Sequence, residues 1–407
     1  MYQSVKIFLL CFCLISTSWF ECYAEDASLE NVQIQKNGPY SQLKGVYLDP
    51  ATEELQYIAK DNTFAKASLW TDTLQIENGN SPLPPFADTQ IWDGTTLILA
   101  DCNTSFMTHY FHFLEHLLGI WEFGGCEKRE SIKQIVFCAS DTSQDFGWQG
   151  VNAINYKIIK ALFPNASVHT LGGLKKKAVK PIFMPSVLFS SRLQAFKEPE
   201  HMRLNKMLGP NWQEISSEKI EKLKSIILSS YQIPVQEAPS QYLRVTYLKR
   251  SPPRCLIPRI ENRLLYSIQL MRTQLKIVDL AAIPYEEQLK VIANTDVLIS
   301  VHGNGLSHIP FLPKGATVIE FFSPDSFTWD YCMLARIKGA DYWGTNASNW
   351  WVTSETPFSF SPFGNVSTPI TECDFGAILE ILAKKSASLD APSPEFGRAI
   401  AQKRFKN

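Results

Sequence analysis

The sequence predicts an α/β fold in two domains. Its 407 residues favour two domains at roughly 100 to 200 residues each. Strand patterns alternate with helix patterns along the chain, and repeats of this length are typical of parallel sheets with helices on both faces. A polar segment with two prolines, residues 232–240, separates the repeats into two sets and is interpreted as an interdomain linker.

Hydrophobic residues make up 45% and charged residues 19% of the chain, a composition typical of globular proteins. The formal net charge is -1 and the sequence has no dense block of Lys or Arg, which argues against nucleic acid as a partner.

The N-terminus is typical of a secretory signal peptide. Lys6 precedes an apolar run over residues 7–15, and Ala24 ends a small-residue exit. The run is shorter than the roughly 20 residues that span a bilayer, but an extension through Phe20 leaves an uncleaved N-terminal membrane anchor as the alternative. Acceptor sequons begin at Asn103, Asn165, Asn346 and Asn365, and six cysteines follow residue 24. These features predict the lumen of the secretory pathway, the endoplasmic reticulum or Golgi.

The first set of elements follows from hydrophobic periodicity. Strands are predicted at 45–48, 54–58, 96–100, 133–139 and 178–184, and helices at 109–123, 152–163 and 210–230.

The second set alternates more regularly. Strands are predicted at 242–248, 275–280, 297–301 and 317–322, and helices at 260–270 and 285–294, with a short helix that opens near Leu306. This regular alternation predicts a parallel sheet.

The stretch 296–322 carries the clearest chemical pattern. An apolar strand ends in His302-Gly303-Asn304-Gly305 and leads directly into a helix start, an arrangement that favours anion binding at the edge of a parallel sheet. The two glycines allow the backbone to approach a diphosphate. A tight turn without a ligand explains the same spacing equally well.

Three side chains near this turn are expected to contribute to the same site. Ser307 and His308 add donors, and Glu320 at the end of the next strand is expected to accept hydrogen bonds from ribose hydroxyls.

A second cluster lies on the helix predicted over 109–123. His109, His112 and His116 share one helix face, with Glu115 at its margin. Either His112 or Glu115 is a general base, or the three histidines bind a metal, or they make only local hydrogen bonds. The chain lacks the HExxH pattern that would favour the metal.

The run 294–313 resembles the signature of glycosyltransferase family 61, and the resemblance extends over about residues 242–345. The matching positions outside the run are Lys249, Arg250, Ser251, Arg254, Glu261, Gln288, Leu334, Ala335, Arg336, Gly339 and Tyr342. In the N-terminal half only residues 110–115 are similar to a family motif. The chain departs from the family at Asn304, where Ala is usual, and at Pro252-Pro253, which shorten the spacing between the two arginines.

The resemblance implies a GT-B architecture, with two Rossmann-like domains facing a central cleft. The implied activity is inverting transfer of a sugar, N-acetylglucosamine in the first instance, from a UDP-sugar to a hydroxyl of a protein or glycan, with no cofactor required and metal dependence left open. The nucleotide sugar is expected at Arg250, Arg254, His302, Gly303, Asn304, Gly305, Leu306, Ser307, His308 and Glu320, and the catalytic pair at His112 and Glu115. A catalytically silent binding protein of the same fold and a metal-dependent hydrolase built on His109, His112 and His116 are the alternatives.

These interpretations give the expected domain order. It is 1–24 signal peptide or anchor, 25–231 acceptor-side domain, 232–240 linker, 241–385 nucleotide-sugar domain and 386–407 tail.

Overall fold

A computed structural model describes most of the chain between residues 34 and 390. The described ranges are 34–37, 40–52, 54–58, 64–68, 77–79, 89–100, 109–138, 154–177, 180–191, 216–234, 241–322, 330–345, 351–353, 370 and 375–390. The predictions for the signal segment and for sequons 103, 346 and 365 lie outside these residues. Of the tail predicted over 386–407, only residues 386–390 are described, and they continue a helix.

The chain divides into two compact units. The first comprises residues 1–231 with 358–360, and the second comprises 232–357 with 361–407. Within the described residues, no helix combines the length and the apolar character needed to cross a bilayer.

The first unit contains a ten-stranded sheet. Its strands are β1 (Ile34–Asn37), β2 (Tyr40–Asp49), β3 (Glu54–Ile58), β4 (Phe64–Ser68), β5 (Glu77–Gly79), β6 (Gln90–Ile91), β7 (Thr95–Ala100), β8 (Ile132–Phe137), β9 (Ser167–Thr170) and β10 (Ile182–Ser191). The main order is β5-β4-β3-β2-β10-β7-β8-β9. The strands β10, β7, β8 and β9 pair in parallel, whereas β2 to β5 form an antiparallel extension on the other side of β10.

In the described part of the first unit, three helices connect the parallel strands and a fourth follows β10. They are α1 (Tyr110–Ile120), α2 (Ile154–Leu162), α3 (Leu171–Lys176) and α4 (Ser217–Ser230), and a π-helical turn, Trp121–Gly125, extends α1. The helix α1 buries nine of its eleven residues, which leaves His112 and Glu115 as its partly exposed positions. The Ser216 side chain caps α4 by accepting a hydrogen bond from the Lys219 amide.

The second unit contains a six-stranded sheet in the order β12-β11-β13-β14-β15-β16. Its strands are β11 (Leu243–Leu248), β12 (Thr273–Val278), β13 (Val297–Val301), β14 (Thr317–Phe321), β15 (Asp341–Thr345) and β16 (Trp351–Thr353). All pairs are parallel except the last. The strands β13 and β14 are buried along their whole length, as expected for apolar strands covered on both faces.

The helices of the second unit are α5 (Pro258–Gln269), α6 (Tyr285–Ala293), α7 (Asp330–Lys338) and α8 (Phe375–Asp390). Pro258 occupies the first turn of α5, where its missing N–H costs nothing, and two glutamates in the first turn of α6 complement the helix dipole. At the amino ends of the strands, the Arg244 guanidinium donates two hydrogen bonds, of 2.9 and 2.6 Å, to the Asp296 carboxylate. This ion pair links β11 to the start of β13.

The mixed α/β class is confirmed. The predicted strands 54–58 and 297–301 match residue for residue, and most other predicted elements lie within about three residues of the observed ones. Two predictions need correction. The strand predicted at 178–184 runs over 182–191, and the helix expected near Leu306 is a 3-10 helix over Asn304–Phe311. Pro310 lies inside it and has no N–H to donate, which disfavours continuous α-helical bonding.

Candidate functional site

The candidate site lies at the carboxyl ends of β11 and β13, which are adjacent in the sheet. In chain order the first five strands of the second unit are arranged 2-1-3-4-5, so the connections leave in opposite directions from β11 and β13. Ligands of open α/β sheets bind in the crevice at such a switch point. Arg250 follows β11 and His302 follows β13, so the fold brings both predicted residues to this place.

Arg250 crosses the turn that follows β13. Its Nη1 donates a hydrogen bond of 2.9 Å to the His302 carbonyl oxygen. A Cβ atom on Gly303 would lie 1.1 Å from this Nη1, and the φ of Gly303 is 154°, a conformation that L side chains rarely adopt. Gly303 is therefore required for the guanidinium to lie against the backbone of the turn.

The charge around Arg250 favours an anion. Burial lowers the pKa of Arg250, and the nearby charge of Arg254 lowers it further, while Tyr331 and Asp279 act in the opposite direction. The guanidinium stays protonated because its ordinary pKa exceeds 12. Arg254 is half-buried, and within the described part of the chain its side chain makes no hydrogen bond or ion pair. Two neighbouring cations thus lie at one sheet edge.

The 3-10 helix starts at this edge. Its first hydrogen bond joins the Leu306 amide to the Gly303 carbonyl, so the amides of Asn304 and Gly305 precede the intrahelical bonds. A Cβ atom on Gly305 would lie 3.1 Å from a methyl carbon of Leu248, which makes this glycine a close-packing position rather than an obligatory one.

The side chains at the start of the 3-10 helix are buried, which differs from the ligand-binding role predicted for them. Leu306, Ser307 and His308 are at most 2% exposed. The Ser307 hydroxyl donates to Asn304 Oδ1 at 3.0 Å, and His308 Nδ1 lies 3.0 Å from the Gly305 carbonyl oxygen. Burial lowers the pKa of His308 to about 4, so this imidazole is neutral at pH 7. Ser307 and His308 therefore shape the turn, whereas donors for a ligand were expected from them.

Glu320 also differs from its expected role. It is fully buried, and its two oxygens lie 2.6 Å from His302 Nδ1 and 2.6 Å from the Tyr342 hydroxyl, which donates to it. Burial raises the pKa of Glu320, and the hydrogen bond with His302 opposes that change. With both oxygens occupied inside the protein, Glu320 contacts His302 where a ribose hydroxyl was predicted.

Two aromatic rings that sequence reasoning missed enclose His302. The Phe322 ring stacks on the imidazole with centroids 5.6 Å apart, and the Tyr331 ring lies 5.2 Å away at 51°. Tyr342 is one of the positions that match the family, but no role was predicted for it. Its hydroxyl donates a hydrogen bond to Glu320. A signal for these partners was present, because a glutamate inside the apolar strand 317–321 requires buried donors.

Gln288, one of the positions that match the family outside the run 294–313, has a structural role. Its side-chain amide donates to the carbonyl oxygens of Leu280 and Ile283 at 2.8 and 3.0 Å and so holds the turn before α6. Glu261 likewise accepts a hydrogen bond of 2.9 Å from the Tyr247 hydroxyl.

The predicted catalytic pair, His112 and Glu115, lies in the first unit. His112 Nδ1 lies 2.8 Å from Glu115 Oε2, and the two side chains are 19% and 11% exposed. When the carboxylate accepts the Nδ1 proton, the other ring nitrogen, Nε2, is left as a proton acceptor. The pair therefore has the chemistry of an oriented base.

The three histidines of this helix face have different surroundings. His116 is 4% exposed and its Nδ1 lies 2.9 Å from Ser190 Oγ, at the end of β10, whereas the His109 ring packs beside His112 with centroids 4.9 Å apart. No group of three potential metal ligands occurs among the described residues. This geometry does not support the metal-ligand alternative for His109, His112 and His116, because one imidazole takes an interior hydrogen bond on a helix that is almost entirely buried.

No disulfide joins two of the described cysteines. Cys126, Cys138, Cys255 and Cys332 are buried, while Cys102 and Cys373 lie outside the described residues.

The comparison with family models matches the chain to Glycosyltransferase 61 over residues 110–319, slightly more than half of its length. This range includes the His112–Glu115 pair and, at the switch point, Arg250, Arg254 and residues 302–308, while Glu320 lies one residue beyond it.

Curated relatives are similar over a shorter stretch. The chain is 34% identical over 117 residues to the EGF domain-specific O-linked N-acetylglucosamine transferase of Drosophila melanogaster, covering 28% of this chain and 22% of that protein. The proteins of the same description from Gallus gallus and Xenopus laevis are 35% identical over 111 residues (26% and 20%) and 33% identical over 119 residues (28% and 22%). The matched stretch thus spans about a fifth of each relative. On the family match over half of the sequence, the chain belongs to glycosyltransferase family 61.

Proposed function

We propose that this protein is an inverting glycosyltransferase of the GT-B type that transfers a sugar from a UDP-sugar to a hydroxyl of a protein or glycan. The observation that carries the proposal is Arg250, which is held across Gly303 at the switch point of a parallel sheet, with His302 and Arg254 beside it. Cations at such a crevice suit a diphosphate.

The donor side of the reaction requires stabilisation of the leaving diphosphate. As the bond between the anomeric carbon and the β-phosphate oxygen breaks, negative charge develops on UDP. Arg250, His302 and the amides of Asn304 and Gly305 supply donors that are fixed before the reaction begins, and Arg254 adds a second positive charge. These groups can neutralise the charge without a metal ion. Comparing the transfer assay with and without manganese tests this.

The acceptor side requires a general base. In a direct displacement, the oxygen of the acceptor hydroxyl attacks the anomeric carbon while His112 Nε2 takes the hydroxyl proton. The attack inverts the configuration at the anomeric carbon. Glu115 accepts the Nδ1 proton of His112 at 2.8 Å and stabilises the imidazolium that forms. His112 is the base in this assignment and Glu115 is its orienting partner.

The relatives support a proposal for the sugar and the acceptor. Their printed description names N-acetylglucosamine and the EGF domain. We extend the sugar to this chain as UDP-N-acetylglucosamine and the acceptor to a Ser/Thr or glycan hydroxyl. The signal-like N-terminus and the sequons support a location in the lumen of the secretory pathway.

The test is a transfer assay with purified protein. Folded EGF domains and secretory glycopeptides are incubated with UDP-N-acetylglucosamine, UDP-xylose or GDP-sugars, with and without manganese, and the acceptors are analysed by mass spectrometry. Addition of one sugar that is lost in Arg250→Ala supports the proposal. Nucleotide binding without transfer to any acceptor would instead indicate the silent family member.

A further inference from the structure

We propose that Glu320 is a positioning residue that keeps His302 doubly protonated, so that the imidazole donates an Nε2–H hydrogen bond to the diphosphate of the nucleotide sugar. The inference rests on the proposed function and deepens its donor site. It replaces the ribose contact expected for Glu320 with an effect exerted through another side chain.

The geometry starts with the carboxylate. Glu320 Oε1 lies 2.6 Å from His302 Nδ1, a distance typical of a charge-assisted hydrogen bond, and Glu320 Oε2 accepts from Tyr342 at 2.6 Å. The Glu320 side chain is fully buried. The carboxylate therefore has two fixed partners, and only one of them, His302, borders the solvent, with 12% of its side chain exposed.

The ring has little freedom to turn. The imidazole lies against the rings of Phe322 and Tyr331, with centroid distances of 5.6 and 5.2 Å, and its Nδ1 is bonded to Glu320. With Nδ1 engaged and two aromatic rings packed on it, Nε2 is the ring nitrogen left for a ligand.

The number of protons on the ring decides what Nε2 can do. A neutral His302 that gives its single N–H to Glu320 carries a lone pair on Nε2, which repels a phosphate oxygen. A doubly protonated ring donates from both nitrogens and adds a positive charge. A carboxylate at hydrogen-bond distance favours this second form.

Other titratable and charged groups face the pair from each packed element. They are Tyr342 on β15, Asp330, Tyr331, Cys332 and Arg336 on α7, and Arg250, Arg254 and Asp279 around the end of β11. Burial raises the pKa of both tyrosines well above its ordinary value and that of Cys332 to about 12. The arginines stay charged at any pH used. His302 and Glu320 share one hydrogen-bonded proton at 2.6 Å, so a change in the charge of either partner acts directly on the other.

The decisive variant is Glu320→Gln, which keeps an oxygen to accept the Nδ1 proton but removes the charge. Its affinity for UDP-N-acetylglucosamine is measured by calorimetry from pH 6 to 8.5. This nucleotide sugar is the probe because its diphosphate diester holds a constant charge, whereas a terminal phosphate titrates near pH 6.

The expected result is a pH-dependent defect. At pH 7.5 the variant binds about threefold to tenfold more weakly than wild type, and the deficit shrinks toward pH 6, because the neutral amide no longer favours the doubly protonated ring. Tyr342→Phe is the matched control: it removes a donor from the same carboxylate, leaves the charge in place, and is expected to show no such pH dependence.

His302→Gln provides a second route if Glu320→Gln does not fold. Without the imidazole, the dependence of affinity on pH between 6 and 8.5 disappears, and adding Glu320→Gln causes no further loss. A Glu320→Gln defect of equal size at every pH, or unchanged pH dependence in His302→Gln, overturns the inference. Absence of nucleotide binding in wild type would instead contradict the proposed function itself.

Discussion

Arg250 and Gly303 show how one residue's missing side chain makes room for another residue's charge. The guanidinium occupies the volume that any Cβ at position 303 would fill, and its bond to the His302 carbonyl fixes it there. The requirement for glycine at this position is therefore set by Arg250 as much as by backbone conformation.

Gly303→Ala is expected to displace Arg250 and to weaken UDP-sugar binding about tenfold to a hundredfold, since hydrogen bonds to charged groups contribute roughly 1.5 to 3 kcal/mol. Calorimetric titration measures the effect. Gly305→Ala serves as the control with a smaller loss, because its Cβ would meet only two leucine methyl carbons, at 3.1 and 3.5 Å. If Gly303→Ala combined with Arg250→Ala binds far more weakly than Arg250→Ala alone, the two residues act independently and the steric account fails.

His112→Ala is expected to reduce kcat about a hundredfold to ten-thousandfold, the usual contribution of a general base, with nucleotide affinity unchanged. Glu115→Gln gives a smaller reduction because a hydrogen-bond acceptor remains for Nδ1. Steady-state transfer kinetics with binding measured in parallel separate the two quantities. His109→Ala should retain turnover, and full activity in His112→Ala would assign the base elsewhere.

Local sequence pattern identified the residues of the switch-point turn but not the direction of their side chains. The 3-10 helix places the side chains of Ser307 and His308 in the interior. The sequence pattern over residues 302–308 does not distinguish 3-10 from α-helical hydrogen bonding. Glu320 was misplaced for a related reason: its partner Tyr342 comes from a strand 22 residues later.

At the scale of elements, α7 is a helix that hydrophobic periodicity did not predict. It buries seven of its nine residues, including Lys338, so it has no polar face to reveal it in the sequence. Gly339 follows it with a φ of 69°, and the Ala340 amide bonds to the Ala335 carbonyl, which closes the helix end.

Gly339→Ala is expected to lower the free energy of unfolding by about 1 to 2 kcal/mol, the cost of a left-handed backbone for an L-residue. No atom lies within 4 Å of the added Cβ, so the loss is conformational and not steric. Denaturant unfolding checks the value. Gly339→Asn should lose less, because Asn tolerates this conformation; equal losses for Ala and Asn would argue against the conformational explanation.

At the scale of the whole molecule, the sequence predicted the α/β class but not the course of the first sheet. The strand β10 pairs with β2 on one side and β7 on the other, residues more than 80 positions earlier, and joins an antiparallel part to a parallel part. Local periodicity carries no information about such pairings, whereas the regular alternation after residue 241 left few arrangements for the second sheet.

The dependence of global stability on pH follows from buried His308. Its pKa is about 4 in the folded protein and about 6.5 in an unfolded chain, so the unfolded state binds the proton first as the pH falls. This contribution to stability is full above pH 6.5 and is lost between pH 6.5 and 4, up to about 3 kcal/mol.

Denaturant unfolding of wild type and His308→Asn over this range tests the assignment. The amide of Asn can still donate to the Gly305 carbonyl but does not titrate, so the variant should lose stability less steeply toward pH 4. Identical slopes in the two proteins would show that other groups govern the acid response.

The central claim is that the second unit binds a UDP-sugar at Arg250 and the 302–305 turn. The most direct measurement is calorimetric titration of the purified protein with UDP, UDP-N-acetylglucosamine, UDP-xylose and GDP, with and without manganese, alongside Arg250→Ala. We predict selective binding of UDP or one UDP-sugar, a matching rise in thermal stability, and about tenfold or greater weakening in Arg250→Ala. Binding of no nucleotide, or wild-type affinity in Arg250→Ala, would contradict it.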